Sequence, residues 1–198
     1  METKLNKNIK NAIKQAEIFC SEQELQVVFT YTISNTTLDT ISERTQKLPS
    51  MYFANKEMLL ERLKNGCFLI KKGNKVYGHI FAHKHQIHKH SVFERSSLWI
   101  HSEYRNKNLG LLLMNLLTKR YDKDFLISIA QEPAVHSNNE LLGMKHISLP
   151  ELSPRLIETL EKIGKLRDEH KFKYYVNPYF ELKIKQFNKI LSNINKNI

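Results

Sequence analysis

Apolar residues recur at helical spacing from residue 4 to residue 20 (Leu5, Ile9, Ala12, Ile13, Ala16, Phe19, Cys20), which predicts an amphipathic N-terminal helix. The stretch 25–33 is rich in Val, Phe, Tyr and Thr and predicts a strand. Helices follow at 38–47 and 56–64, separated by Leu48-Pro49-Ser50, with Gly66 ending the second. Residues 67–71 and 76–83 flank the polar turn Lys72-Gly73-Asn74-Lys75, the signature of a β-hairpin. A strand at 98–101, a helix at 110–121 and a strand at 125–130 come next. Beyond Pro150, Ser153 as N-cap and Pro154 at the first helical position begin a helix that runs to about residue 168. Residues 172–176 read as a strand, and Ile184, Phe187, Leu191 and Ile194 form a stripe on a final helix over 179–195.

The pattern shows no internal repeat and no low-complexity linker. It implies one domain: a helical extension over 1–24, a core over 25–150, and a helix-strand-helix over 151–198 that completes or extends the core. The two terminal stripes either pack on the body or form the seam of a homodimer, because apolar stripes seldom stay exposed.

Composition narrows the class. The chain has 198 residues, 41% of them hydrophobic, enough for one domain with a substantial core. Cys20 and Cys67 form no spacing framework, which fits a reducing compartment. No apolar run reaches the ~20 residues of a membrane span, and Lys and Asn interrupt any signal-peptide core. A cytoplasmic location is the expectation. The net charge of +11 admits anionic cofactors or nucleic acid as partners. Lys is nonetheless spread along a chain rich in Asn and Ile, so the charge does not mark a basic patch. No RNA-recognition aromatic motif, zinc finger or clear helix-turn-helix occurs, and nucleic acid ranks last among partners.

Residues 98–121 carry the most chemistry. A short apolar strand ends at Ile100, a polar turn runs from His101 to Asn108, and Gly110 opens a strongly apolar helix. Such a turn gathers unpaired backbone N–H groups at the positive end of a helix dipole, where phosphate or pyrophosphate binds. Arg105 and Lys107 add cations to it. Neither a P-loop nor a Gly-x-Gly-x-x-Gly fingerprint is present.

The turn resembles the acyl-CoA pyrophosphate loop of the GNAT superfamily of N-acetyltransferases, Arg/Gln-x-x-Gly-x-Gly/Ala. Here it reads Arg105-Asn106-Lys107-Asn108-Leu109-Gly110 after Tyr104, with Asn108 in place of the first glycine. Asn tolerates left-handed backbone angles. The element order β-α-α-β-β-β-α-β also matches the family over residues 25–149, and Gly143-Met144 resembles its "Gly-Phe" turn into a sixth strand. The resemblance implies an α/β (α+β) fold, a mixed, mostly antiparallel sheet flanked by helices, with extra N- and C-terminal helices here. It implies transfer of an acetyl or other acyl group from acetyl-CoA to an amine of a small molecule or protein. The cosubstrate would be held by Trp99, Ile100, Arg105, Asn106, Lys107, Asn108, Leu109 and Gly110. Trp99 to His101 would pair with the pantetheine arm, a backbone N–H there stabilising the oxyanion. Glu94, eleven residues before Arg105, stands where many members keep a general base. The Tyr that often protonates the leaving thiolate is replaced by Asn139, and His136 or water would serve instead. Loops at 34–55 and 86–96 and the segment after Pro150 would shape the acceptor site.

His79, His83, His85, His88 and His90 raise a metal reading, since His83 and His85 share a strand face. No Cys or close carboxylate completes a ligand set in the sequence, so no metal is expected and these histidines read as cleft-lining or exposed. Two rivals to the enzyme remain: a catalytically silent acyl-CoA-binding or interaction module of the same fold, and a basic nucleic-acid-binding protein.

Overall fold

The computed structural model describes residues 4–48, 53–87, 90–152, 154–162, 166, 172–184 and 186. Its elements in chain order are α1 (Lys4–Glu22), β1 (Gln26–Thr30), α2 (Asn35–Lys47), α3 (Lys56–Leu63), β2 (Cys67–Lys72), β3 (Lys75–Ile87), β4 (His90–Ile100), α4 (Leu109–Arg120), β5 (Phe125–Ala130), α5 (Pro133–Leu141), β6 (Lys145–Ile147), α6 (Pro154–Lys162) and β7 (Lys173–Val176). The chain divides into two compact units, one of Met1–His83 with Arg95–Arg120, the other of Lys84–Glu94 with Tyr121–Ile198.

In the first unit the strands follow the order β1-β2-β3-β4. Both β1 with β2 and β2 with β3 are antiparallel, and Leu69 lies opposite Val28 on one side and His79 on the other. Residues in one such row point to the same face. That face carries a core of Leu38, Ile41, Leu59, Leu63, Leu69 and Phe81 supplied by α2, α3, β2 and β3. Side-chain caps start both helices: Ser34 accepts from the Thr37 N–H, and Asn55 from the Met58 N–H. Gly66 ends α3 at φ 82°, and a Cβ there would sit 2.2 Å from the Phe29 ring. Glycine is therefore required by conformation and by space. Helix α4 is apolar nearly all round, with Leu109, Leu111 to Met114 and Leu117 buried, and α1 packs against it. The thiols of Cys20 and Cys67 are both free and buried.

In the second unit the order is β3-β4-β5-β7-β6. Strand β7 pairs antiparallel with β5 and with β6, so that Tyr175 faces Ser128 on one side and His146 on the other. Ile127, Ile147, Leu156, Leu160, Tyr174 and Phe180 form its core. Buried Asn177 ties β7 to its surroundings: its Nδ2 donates to the carbonyls of Tyr121 and Asp124, and its Oδ1 accepts from the Phe180 N–H at 3.0 Å. That last bond caps the helical stretch 178–184.

The mixed, mostly antiparallel arrangement and the element order agree with expectation, and most boundaries fall within three residues of it. Two segments differ. Residues 86–96 are not a loop: β3 runs to Ile87 and β4 begins at His90. Residues 133–141 form helix α5, opened by Pro133, where no element was expected. Ser153, the 163–168 end of the expected sixth helix except Leu166, and residues 185 and 187–195 of the final one lie outside the described residues.

Candidate active site

Strand β4 ends at Ile100, a single 3-10 turn spans Ser102–Tyr104, and α4 starts at Leu109. Arg105, Asn106, Lys107 and Asn108 are all exposed. Asn106 and Asn108 both adopt left-handed backbone, at φ 60° and 57°, a region Asn enters at lower cost than most residues. The Asn108 carbonyl accepts the first helical bond, from the Leu112 N–H at 2.9 Å. The backbone N–H groups of Asn106 to Leu111 make no hydrogen bond among the described residues. No carboxylate stands in the first turn of α4. The bend is thus open and electropositive, with its amides unengaged. Arg105 folds back through Nε to the Ile100 carbonyl at 3.3 Å, which fixes the direction of its guanidinium stem.

Tyr104 anchors the bend from below. Its ring meets Phe19 of α1 at 5.7 Å and Tyr77 of β3 at 4.9 Å, and the Lys107 ammonium lies 5.7 Å from the Phe19 ring. The N-terminal helix therefore buttresses the loop through Phe19. His101, by contrast, gives its N–H to the Tyr77 carbonyl at 2.8 Å. Of the strand end 99–101, that amide is already committed within the protein.

Just upstream, Ser97 interrupts β4 with φ 52°. A non-glycine residue held there costs roughly 1–2 kcal/mol and needs fixed partners. It has two: the Arg62 Nη1 donates to Ser97 Oγ at 2.6 Å, and His79 Nδ1 lies 2.7 Å from the Ser97 carbonyl. Because a carbonyl only accepts, Nδ1 carries the proton and Nε2 is bare. His79 is 0% exposed, and burial pushes its imidazole down to about 3, so the ring stays neutral. Its ring stacks at 20° on Trp99, and the Arg44 guanidinium lies 3.8 Å from the centre of the Trp99 ring. Arg44, Arg62 and Ser97 were not singled out in the sequence. Arg62 left a trace, a cation on the Leu59–Leu63 face of α3 where a core residue belongs.

The two expected proton carriers belong to the second unit. Glu94 is only 2% exposed, and its Oε2 lies 2.8 Å from Nε2 of the equally buried His85. A carboxylate therefore does accompany the histidine-rich stretch. The expectation of cleft-lining or exposed histidines fails for His79 and His85, both buried. His88 lies outside the described residues. His136 is half-buried on α5 and not in a loop; burial, then nearby Lys173, lowers its pKa. Asn139, at the expected tyrosine position, is fully buried and donates from Nδ2 to Ser128 Oγ at 3.3 Å. Tyr175 presents a phenol nearby, its ring 5.9 Å from that of His136 and its hydroxyl 3.4 Å from Glu140; burial raises its pKa.

The strand, bend and helix so arranged place a run of open amides on a mixed, mostly antiparallel fold. Comparison with known proteins agrees: the sequence profile of the acetyltransferase (GNAT) family matches residues 30–141, more than half the chain, and the protein belongs to that family. No curated protein sequence matches it. Among solved structures, N-acetylglutamate synthase from Neisseria gonorrhoeae, complexed with coenzyme A and N-acetyl-glutamate, is similar with TM-score 0.58 and 11% identity, over 77% of this chain and 35% of that one. Arabidopsis thaliana Naa50 with the bisubstrate analogue CoA-Ac-MVNAL gives TM-score 0.53 and 13% identity, over 76% and 96%. Rv2747 from Mycobacterium tuberculosis with CoA and NLQ gives 0.51 and 10%, over 76% and 98%. The chain thus spans about a third of the synthase but nearly all of the other two. Identities this low speak to fold alone. Among the described residues, no helix is long and apolar enough to cross a membrane.

Proposed function

We propose that the protein transfers an acetyl group from acetyl-CoA to an amine of a small-molecule or protein acceptor, in the cytoplasm. The observation that carries this reading is the bend at 105–110 and the helix start after it, where six successive amides, Asn106 to Leu111, have no partner among the described residues. In this reading those amides, with Arg105 and Lys107, hold the diphosphate of the cosubstrate. Trp99 and Ile100 orient its pantetheine arm. Acetyl-CoA supplies an activated thioester, and the protein supplies orientation and electrostatics. As the amine nitrogen bonds to the carbonyl carbon, the C–S bond breaks and two protons must move. Glu94, braced by His85, is the candidate to take the ammonium proton. His136, half-buried on α5, or water returns one to the thiolate. The core of the enzyme is residues 25–150, with 1–24 buttressing the loop.

A second reading is favoured by Asn139. That side chain is buried on Ser128 and cannot act as a general acid, which is what a silent acyl-CoA-binding module would show. Two measurements separate the readings. Isothermal titration with acetyl-CoA is expected to give saturable binding, and no binding by folded protein at high micromolar concentration removes both. Thiol release across an amine panel is expected to exceed the amine-free rate, whereas binding without release leaves the module.

A further inference from the structure

Beside the stack of His79, Trp99 and Arg44, the first unit contains a groove of about 640 Å³ between the N-terminal half of α2 and the β2–β3 hairpin. Its wall on the α2 side is hydroxylic, from Thr32, Ser34, Thr36, Thr37 and Thr40. Its charged residues are all cations, Arg44, Lys71 and Lys75, and no carboxylate lines it. None of the three makes an ion pair among the described residues, although Lys72 and Lys56 close by do, with Glu24 and Asp39. Arg44 is the notable one. Its Nη1 is buried without a hydrogen-bond partner, and burial lowers the pKa of its guanidinium. An unsatisfied buried guanidinium donor costs free energy unless an anion completes it. Three cations without an ion-pair partner, gathered in one groove that no carboxylate lines, match the charge of a carboxylate or a phosphate.

We propose that this groove is the acceptor pocket and that it takes an amine carrying a carboxylate or phosphate group, anchored on Arg44. The assignment rests on the acyltransferase reading and adds the class of acceptor to it. Arg44 links groove and cosubstrate strand, since its guanidinium stacks on Trp99, whose own backbone belongs to β4. Anion capture by Arg44 therefore acts on the strand end proposed to align the thioester.

The chain contains one tryptophan, so intrinsic fluorescence reads this stack directly. The 198-residue protein is titrated with inorganic phosphate, with succinate, and with chloride at matched ionic strength. The expected result is a saturable change in Trp99 emission with phosphate or succinate and none with chloride; which of the two saturates identifies the anion. In Arg44→Gln the apparent affinity falls about tenfold, as loss of a charge-assisted bond requires. Circular dichroism checks that the variant is folded, and the Lys71→Gln/Lys75→Gln pair, which leaves the stack untouched, provides a second arm with a smaller loss. Equal, non-saturable responses to all three salts, or unchanged affinity in both variants, overturn the proposal. Turnover then tests the acceptor role: CoA release is expected with glutamate or phosphoethanolamine at a KM at least about tenfold below that of glutamate dimethyl ester. If neutral esters serve equally well, the groove is not the acceptor pocket. If acetyl-CoA itself fails to bind, the acyltransferase reading falls on its own measurement, and the acceptor role falls with it.

Discussion

His79 is a buried base held neutral, and its pH signature follows from that. Its folded pKa lies near 3, against an ordinary value of 6.5. A folded value below the unfolded one means the unfolded chain binds the extra proton between those limits. Its contribution to stability is therefore complete above pH 6.5 and is lost as pH falls towards 3. At pH 5 the loss is about 2 kcal/mol, from 1.36 kcal/mol per unit. Urea unfolding of the parent and of His79→Gln at pH 7 and pH 5 checks this, with the variant expected to show a shallower slope. At this scale the sequence was least informative. A histidine in a strand gives no sign of whether it is sealed, and Glu94, Arg95 and Ser96 read as a polar approach to the strand although all three are buried. Their partners, His85 for Glu94 and Thr118 for Arg95, come from elsewhere in the chain. Polar burial of that kind depends on contacts no local pattern encodes.

At the scale of elements, the entry to α4 was legible because its constraint is local. Asn108 was expected to accept the left-handed conformation that glycine takes in the resembled motif, and its φ is 57°. A β-branched residue there pays roughly 1–2 kcal/mol more. Asn108→Val is therefore expected to weaken acetyl-CoA binding about tenfold or more, while Asn108→Gly stays within about threefold, by calorimetric titration. The hairpin and the end of α3 at Gly66 were legible for the same reason, being set by turn chemistry. Helix α5 was not. Its Ser-Asn-Asn run has poor helix propensity, and only Asn139 is buried along it. Contacts with β5 and β6, not local sequence, hold it in place.

For the molecule as a whole, +11 is a formal charge whose use depends on where it is open to solvent. Arg105 and Lys107 at the bend are exposed, so their proposed attraction to the cosubstrate phosphates is screened by salt. Raising salt from about 50 to 500 mM shortens the screening length from roughly 14 to 4 Å and is expected to weaken acetyl-CoA binding several-fold. A gel shift with duplex DNA under the low-salt condition tests the basic nucleic-acid reading; none is expected. The order of elements, and with it the family, was readable because periodicity and turns repeat the same topology in order. The proposed acceptor groove was not, since Arg44 and Lys71 lie far apart in sequence and line one groove only in the folded chain.

The two sulfhydryls of the first unit bear on how turnover is followed. Burial raises Cys20 and pushes Cys67 up to about 12, so neither offers appreciable thiolate to an alkylating or chromogenic reagent in the native state. Liberated coenzyme A can then be titrated continuously with a disulfide dye against a silent protein background. A slow rise in colour with neither amine nor acetyl-CoA present would report the polypeptide opening.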